Sequence, residues 1–174
     1  MICFSDTKEK YLRPGKGNEH AYALIKSLVS LEPQSNKTAI GAGIKLALNV
    51  IKRKSIIILV SDFIDLNYER ELTMLAKKHD LVVLQLMDKR ETTFPSLGII
   101  PLLDKETGKT IWINTSSKAF REQYLQPYAQ NQEKLAKLCR QYQADFLPIF
   151  ADQDYAPQLV HLFRARNKIM KRSA

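Results

Sequence analysis

Two apolar runs constrain this chain more than any other feature. Ser55 to Ser61 carries the unbroken stretch Ile56-Ile57-Ile58-Leu59-Val60, and Leu81-Val82-Val83-Leu84-Gln85-Leu86 repeats the pattern a short distance on. Runs that are apolar on successive residues suit strands covered on both faces, the situation inside a parallel sheet. Between them, Tyr68, Leu72, Leu75 and Ala76 recur at helical spacing, which predicts a helix over Asn67 to Lys78. Asp145 to Phe150 predicts a further strand and Tyr155 to Arg166 a closing helix. Strands alternating with helices imply parallel β-α units, with helices on both faces of the sheet. The expected fold class is α/β, an open three-layer sandwich with a mostly parallel sheet.

The rest of the chain fits around that pattern. Ile2 to Ser5 predicts a short strand, and Pro14-Gly15-Lys16-Gly17 marks a loop. Ala21, Leu24, Ile25, Leu28, Val29 and Leu31 form one helical face that Pro33 ends. A second helix is predicted from Thr38 to Arg53, buried through Ile40, Ile44, Leu46, Ala47 and Ile51, with Thr38 as its N-cap. Lys52, Arg53 and Lys54 then stand at its negative end, which accounts for a basic run without a ligand. Gly98 to Asp104 and Thr110 to Asn114 predict an inserted hairpin around Lys105-Glu106-Thr107-Gly108-Lys109. A long helical stretch covers Ser117 to Tyr142, with Pro127 expected to kink or split it.

Composition narrows the function classes. A chain of 174 residues with 45% hydrophobic and 26% charged residues is one globular domain over 1–174, not a disordered one. No apolar run approaches the ~18–20 residues of a spanning helix. The opening MICFSDTKEK lacks the parts of a secretory signal, so a cytoplasmic location is expected. Cys3 and Cys139 cannot build a disulfide framework and read as reduced buried thiols. The net charge of +9 admits nucleic acid, anionic lipid or an acidic protein without selecting among them.

In open α/β sheets ligands bind beyond the carboxyl ends of the strands. Those positions hold Ser5 and Asp6, then Ser61, Asp62 and Asp65, then Asp88, then Asp152 and Asp154. Carboxylates along one rim of a basic protein suit a hard cation such as Mg²⁺, whereas Asp also caps helices. Other constellations fail. Gly15-Lys16 lacks the upstream glycine and following hydroxyl of a P-loop, and Gly41-Ala42-Gly43 lacks a third glycine and reads as close helix packing. His20, His79 and His161 have no ligand-spaced partner, and His79 is expected to serve the last carbonyls of its helix. Ser61 lacks the glycines of a nucleophile elbow.

At Thr38 and Val60-Ser61-Asp62-Phe63-Ile64-Asp65 the chain resembles a von Willebrand factor A domain. More narrowly it resembles the C-terminal part of the bacterial "domain of unknown function fifty-eight" family. Phe4-Ser5-Asp6, Arg13 to Gly17, Gly98 to Gly108 with Asn114 to Ser117, and Asp152-Gln153-Asp154-Tyr155 carry that resemblance in order. It implies a von Willebrand factor A-like fold with a metal-ion-dependent adhesion site, in which Thr38 and Asp62 are the metal-ligating residues. The DxSxS motif of such sites is absent from this sequence, and Phe4-Ser5-Asp6 resembles the family's second strand. The resemblance therefore implies a domain incomplete at its N-terminus, from a truncated gene or a late start codon, and Mg²⁺ binding that is weak or absent.

By the same resemblance the chain is a non-enzymatic protein-binding module that works with a MoxR-type AAA ATPase in assembly or maturation. The alternative is an Mg²⁺-dependent hydrolase or nuclease using Asp6, Asp62 and Asp65. A third reading attaches the chain to nucleic acid or an anionic membrane surface through Arg164, Arg166, Lys168, Lys171 and Arg172. Trp112 and the tyrosines form no stacking array, so nucleic acid is the less favoured of those two partners.

Overall fold

The apolar runs pair side by side in a computed structural model that describes residues 1–88, 97–103 and 108–172, the side chains of 118–128 and 169–172 excepted. In chain order the elements are β1 (Ile2–Phe4), β2 (Lys8–Tyr11), α1 (Gly17–Val29), α2 (Ile40–Val50), β3 (Ile56–Ser61), α3 (Glu69–Lys78) and β4 (Asp80–Met87). They continue with β5 (Ile99–Leu103), β6 (Thr110–Asn114), α4 (Lys118–Gln141), β7 (Asp145–Phe150) and α5 (Ala156–Arg172). The protein is mixed α/β. A parallel three-stranded sheet has the order β3-β4-β7, with β3 aligned from Ile56 opposite Asp80 to Ser61 opposite Gln85.

Both faces of this sheet carry helices. Ile57, Leu59, Leu81 and Val83 pack with Ile40 and Ile44 of α2, Leu72 and Leu75 of α3, and Leu135 and Cys139 of α4. On the opposite face Val82, Leu84 and Ile149 meet Leu159 and Leu162 of α5. Residues of β4 alternate between the two clusters, which is why Leu81 to Leu84 is apolar at every position, whereas Ile56, Ile58 and Val60 of β3 stay about half exposed. Gly43 earns its place here: a Cβ on it would lie 2.4 Å from the Phe4 ring, so β1 seats on α2 only because that atom is missing. Gly41 shows only ordinary contact distances, the nearest being Glu71 Oε2 at 3.6 Å.

Several expectations change. β1 does not join the parallel sheet; it pairs antiparallel with β2, a strand unforeseen because Lys8-Glu9-Lys10-Tyr11 carries no buried alternation. α1 forms, but the face expected to be buried is exposed at Ile25 (59%), Leu28 (57%) and Val29 (82%), because among the described residues no element packs broadly against it. The second helix is shorter than Thr38 to Arg53. It starts at Ile40 with Ala39 as N-cap, a residue whose side chain makes no capping bond, so Thr38 is not the cap. Lys52 to Lys54 therefore lie beyond its C-cap, Ile51. Pro127 does not split α4, which is one element through that residue. The hairpin forms as β5 and β6 in antiparallel register, and its turn at 104–107 lies outside the described residues. Of the two free thiols Cys139 is buried, which pushes its pKa up to about 11, and Cys3 is half-buried.

His79 also departs from its expected role. Its backbone N–H donates to Leu75 O at 2.9 Å, whereas both ring nitrogens are buried without a hydrogen-bond partner among the described residues. Burial, with a smaller contribution from Lys78, lowers its pKa below 6.5. The unfolded chain then binds a proton that the native chain refuses, so stability falls as pH drops below about 6.5 and levels off under the depressed native value. We expect the midpoint of thermal unfolding to fall between pH 7.5 and 5.5, and to fall less in His79→Phe. Equal slopes for the two proteins would contradict this.

Candidate functional site

The carboxyl end of β3 turns on a strained residue. Phe63 is fully buried yet sits at φ 60°, a region that side chains with a Cβ avoid. Its surroundings hold it there. Ser61 Oγ accepts from Phe63 N at 3.1 Å, Asn131 Nδ2 of α4 donates to Phe63 O at 2.7 Å, and Gln85 Nε2 of β4 donates to Asp62 O at 3.3 Å. The Phe63 ring packs tilted against Tyr68 with centroids 5.7 Å apart. Burial of Tyr68, helped by Glu69, pushes its pKa up to about 12. This buried staple presents Asp62 on an exposed turn, where Asp62 Oδ1 accepts from Ser61 Oγ at 3.2 Å and from Ile64 N at 3.2 Å.

Asp65 reaches across to α2. Its Oδ2 accepts from Ile40 N at 2.6 Å and its Oδ1 from Leu66 N at 2.7 Å. A carboxylate 25 residues away thus caps the helix that Thr38 was expected to cap. Asp65→Ala should cost about 1–2 kcal/mol and Asp65→Asn, which keeps an acceptor, much less. Urea unfolding of both variants measures this; equal losses would show that the amide bond to Ile40 contributes little.

The loop before α2 is tied to β1. Ala39 N donates to Ser5 O at 3.2 Å and Asp6 N to Lys37 O at 3.1 Å. Glu9 of β2 organises the same loop, accepting from Ser5 Oγ at 2.5 Å, Gln34 N at 2.9 Å and Ser35 N at 3.3 Å. The Ser5 hydroxyl and then the Gln34 amide hold the Glu9 carboxyl below its ordinary range. Glu9 escaped sequence reading because two of its three partners, Gln34 and Ser35, lie 25 and 26 residues away with no motif between.

The sequence-predicted site residues therefore distribute as follows. Thr38 and Asp62 are both exposed, on a loop and a turn that the Ile40–Asp65 bond links. Asp6 is exposed beside the Thr38 loop. Asp154 caps α5 through Ala156 N at 3.1 Å, the ordinary helix-capping role. Among the described residues no three of His, Cys, Asp and Glu gather to hold a metal ion. Mg²⁺ takes near-octahedral oxygen coordination. Asp65 is engaged by two amides and Asp62 Oδ1 by its own turn.

The basic C-terminal cluster is partly spent as well. Arg166 of α5 bridges Asp80 at the start of β4 and Asp145 at the start of β7, so it is a structural clamp. Arg164 and Lys168 are exposed, and the side chains of Lys171 and Arg172 lie outside the described residues. Among the described residues no helix is long and apolar enough to cross a membrane.

Comparison with known proteins gives the lineage. Uncharacterized protein MAV169 of Mycobacterium avium is 25% identical over 118 residues, 67% of this chain and 69% of that protein. Uncharacterized protein Mb1516 of Mycobacterium bovis and Uncharacterized protein Rv1480 of Mycobacterium tuberculosis are each 21% identical over 157 residues, 87% of this chain and 49% of theirs. The chain thus spans about half the length of those two relatives. No solved structure matches. A family model matches residues 1–134, and the chain belongs to that family, described as "Protein of unknown function DUF58".

Proposed function

We propose that this chain is a non-enzymatic protein-binding module of von Willebrand factor A type, with an incomplete adhesion rim, that works with a MoxR-type AAA ATPase in assembly or maturation. One observation carries the reading: the bonds Ala39–Ser5 and Ile40–Asp65 tie the loop of Thr38 and the turn of Asp62 into one exposed rim at the carboxyl ends of β1 and β3. Such a rim, preorganised by the Phe63 turn, offers hydroxyl and carboxylate groups to a partner without first having to order them. A cytoplasmic location accompanies this role.

Calorimetry with Mg²⁺ should give no binding tighter than about 1 mM, the weak end for carboxylate sites. A MoxR-type ATPase from the same organism should bind the chain, and Asp62→Lys should weaken that complex at least about tenfold. Absence of a complex overturns the proposal. So does Mg²⁺-dependent phosphodiester cleavage that Asp62→Asn removes, since that result would favour the hydrolase reading on Asp6, Asp62 and Asp65.

A further inference from the structure

The hairpin of β5 and β6 carries an open apolar face. In its antiparallel register Ile99 lies opposite Asn114, Pro101 opposite Trp112 and Leu103 opposite Thr110, and the side chains of directly paired residues share a face. All six positions are exposed, with Trp112 at 71%, Ile99 at 67% and Leu103 at 62%. No charged side chain stands among them. The alternate face is half-buried at Ile100, Leu102 and Ile113. The base of the hairpin is pinned by Thr115, which is fully buried. Its Oγ1 donates to Gly98 O at 2.8 Å and accepts from Leu97 N at 2.9 Å, and Gly98 N donates to Ser116 Oγ at 3.2 Å. The open face is therefore held in place from its root.

The backbone limits what can cover that face. Thr115 N donates to Gly98 O at 2.8 Å, so by the alternation of an antiparallel ladder the backbone groups of Ile100 and Leu102 turn toward β6. Those of Ile99, Pro101 and Leu103 turn outward, and Pro101 has no N–H, so the centre of this edge offers no donor to an added strand. A protein docked on the face would find few polar groups to match, whereas interfaces between separate proteins carry about one hydrogen bond per 100–200 Å². A second copy sets +9 against +9. An anionic bilayer meets each condition: its headgroup boundary takes up tryptophan with aliphatic side chains, demands no matching donors, and attracts a basic chain. The local charge has the right sign. Leu103 and Gly108 line an open cleft of about 590 Å³ with the loop of Thr38, and among the described residues the charged side chain lining it is Lys37.

We propose that the open face of β5 and β6 is a membrane-surface site, which seats Trp112, Ile99 and Leu103 at the headgroup–acyl boundary of an anionic bilayer. Insertion stops at that boundary, because the outward backbone groups of the two strands keep water as a partner there and would lose it deeper. The site uses neither the Thr38 hydroxyl nor the Asp62 carboxylate, so it stands apart from the protein-binding reading above.

Trp112 is the single tryptophan of the chain, so its emission reports on this face alone. The test mixes the full chain with vesicles of phosphatidylcholine containing phosphatidylserine, and with vesicles of phosphatidylcholine alone. With the anionic vesicles the emission should move to shorter wavelength and be quenched by bromine on the acyl chains. Co-sedimentation should be at least about tenfold tighter with them than with the neutral vesicles, and added salt should weaken it. Ile99→Asp and Leu103→Asp, both at exposed positions, should each weaken co-sedimentation at least about tenfold. Co-sedimentation that leaves Trp112 unquenched, or that ignores both substitutions, would put the contact on another surface, such as the basic C-terminal helix. A blue shift that needs no vesicles and grows with protein concentration would give the face to a second copy. One produced by a MoxR-type ATPase and not by vesicles would give it to a protein. Each of these results, like the absence of binding to anionic vesicles, overturns the proposal.

Discussion

Phe63→Ala should lower stability by about 3–5 kcal/mol, the cost of truncating a fully buried aromatic. The ring is 0% exposed and packs on Tyr68 in the main core cluster. Its backbone adds a second, separable effect. At φ 60° a Cβ costs about 1–2 kcal/mol that glycine avoids. Elsewhere in a folded element glycine is the worse choice by about 0.5–1 kcal/mol. Here the order should invert, with Phe63→Gly more stable than Phe63→Ala in urea unfolding. If alanine proves the better substitute, the left-handed turn is not preserved once the ring is gone. Asp62 depends on the same turn, so Asn131→Ala, which removes the bond to Phe63 O, should loosen it with a smaller loss, about 1 kcal/mol.

Arg166→Ala is the other large effect. One guanidinium, its side chain 12% exposed, holds the carboxylates of Asp80 and Asp145 at the amino ends of two adjacent parallel strands. Removing it leaves two like charges close together with no other counter-ion among the described residues, a loss of about 2–3 kcal/mol. For a chain of this size that corresponds to roughly 4–12 °C in the unfolding midpoint. The repulsion is removable: Asp145→Asn in the Arg166→Ala background should recover part of the loss, while Asp145→Asn alone should destabilise. Additive losses across that cycle would mean that the three side chains act independently.

The strands of the parallel sheet were legible because each is a local pattern. Ile56 to Val60, Leu81 to Leu86 and Asp145 to Phe150 are apolar at successive positions whatever lies beside them, and β3, β4 and β7 form there with shifts of a residue or so at their ends. α3 was equally legible, since Leu72 and Leu75 recur at helical spacing and both are buried. α1 shows the limit of that reasoning. Its apolar spacing predicts a helix and the helix forms, but spacing cannot supply a neighbour, and Ile25, Leu28 and Val29 remain exposed. β2 shows the converse: Lys8 to Tyr11 becomes a strand because β1 offers it hydrogen bonds, not because of its own composition.

At the rim, the resemblance named Thr38 and Asp62, while local chemistry misjudged which group caps α2. Thr38 is the expected cap of a helix that begins there, yet the helix begins at Ile40 and Asp65 bonds its first amide because the end of β3 lies against the start of α2. The same holds for Glu9 beneath the Thr38 loop and for Arg166 between two strands, whose partners are remote in sequence.

The order of residues was enough to specify which segments become strands and helices, because periodicity and backbone propensity act over a few neighbours. Folding in three dimensions settled which carboxylates are consumed internally, which apolar faces stay open among the described residues, and that β1 pairs with β2 and not with the parallel sheet. Hydrogen bonds and burial depend on what else arrives at the same place, and no stretch of sequence carries that information about its distant partners.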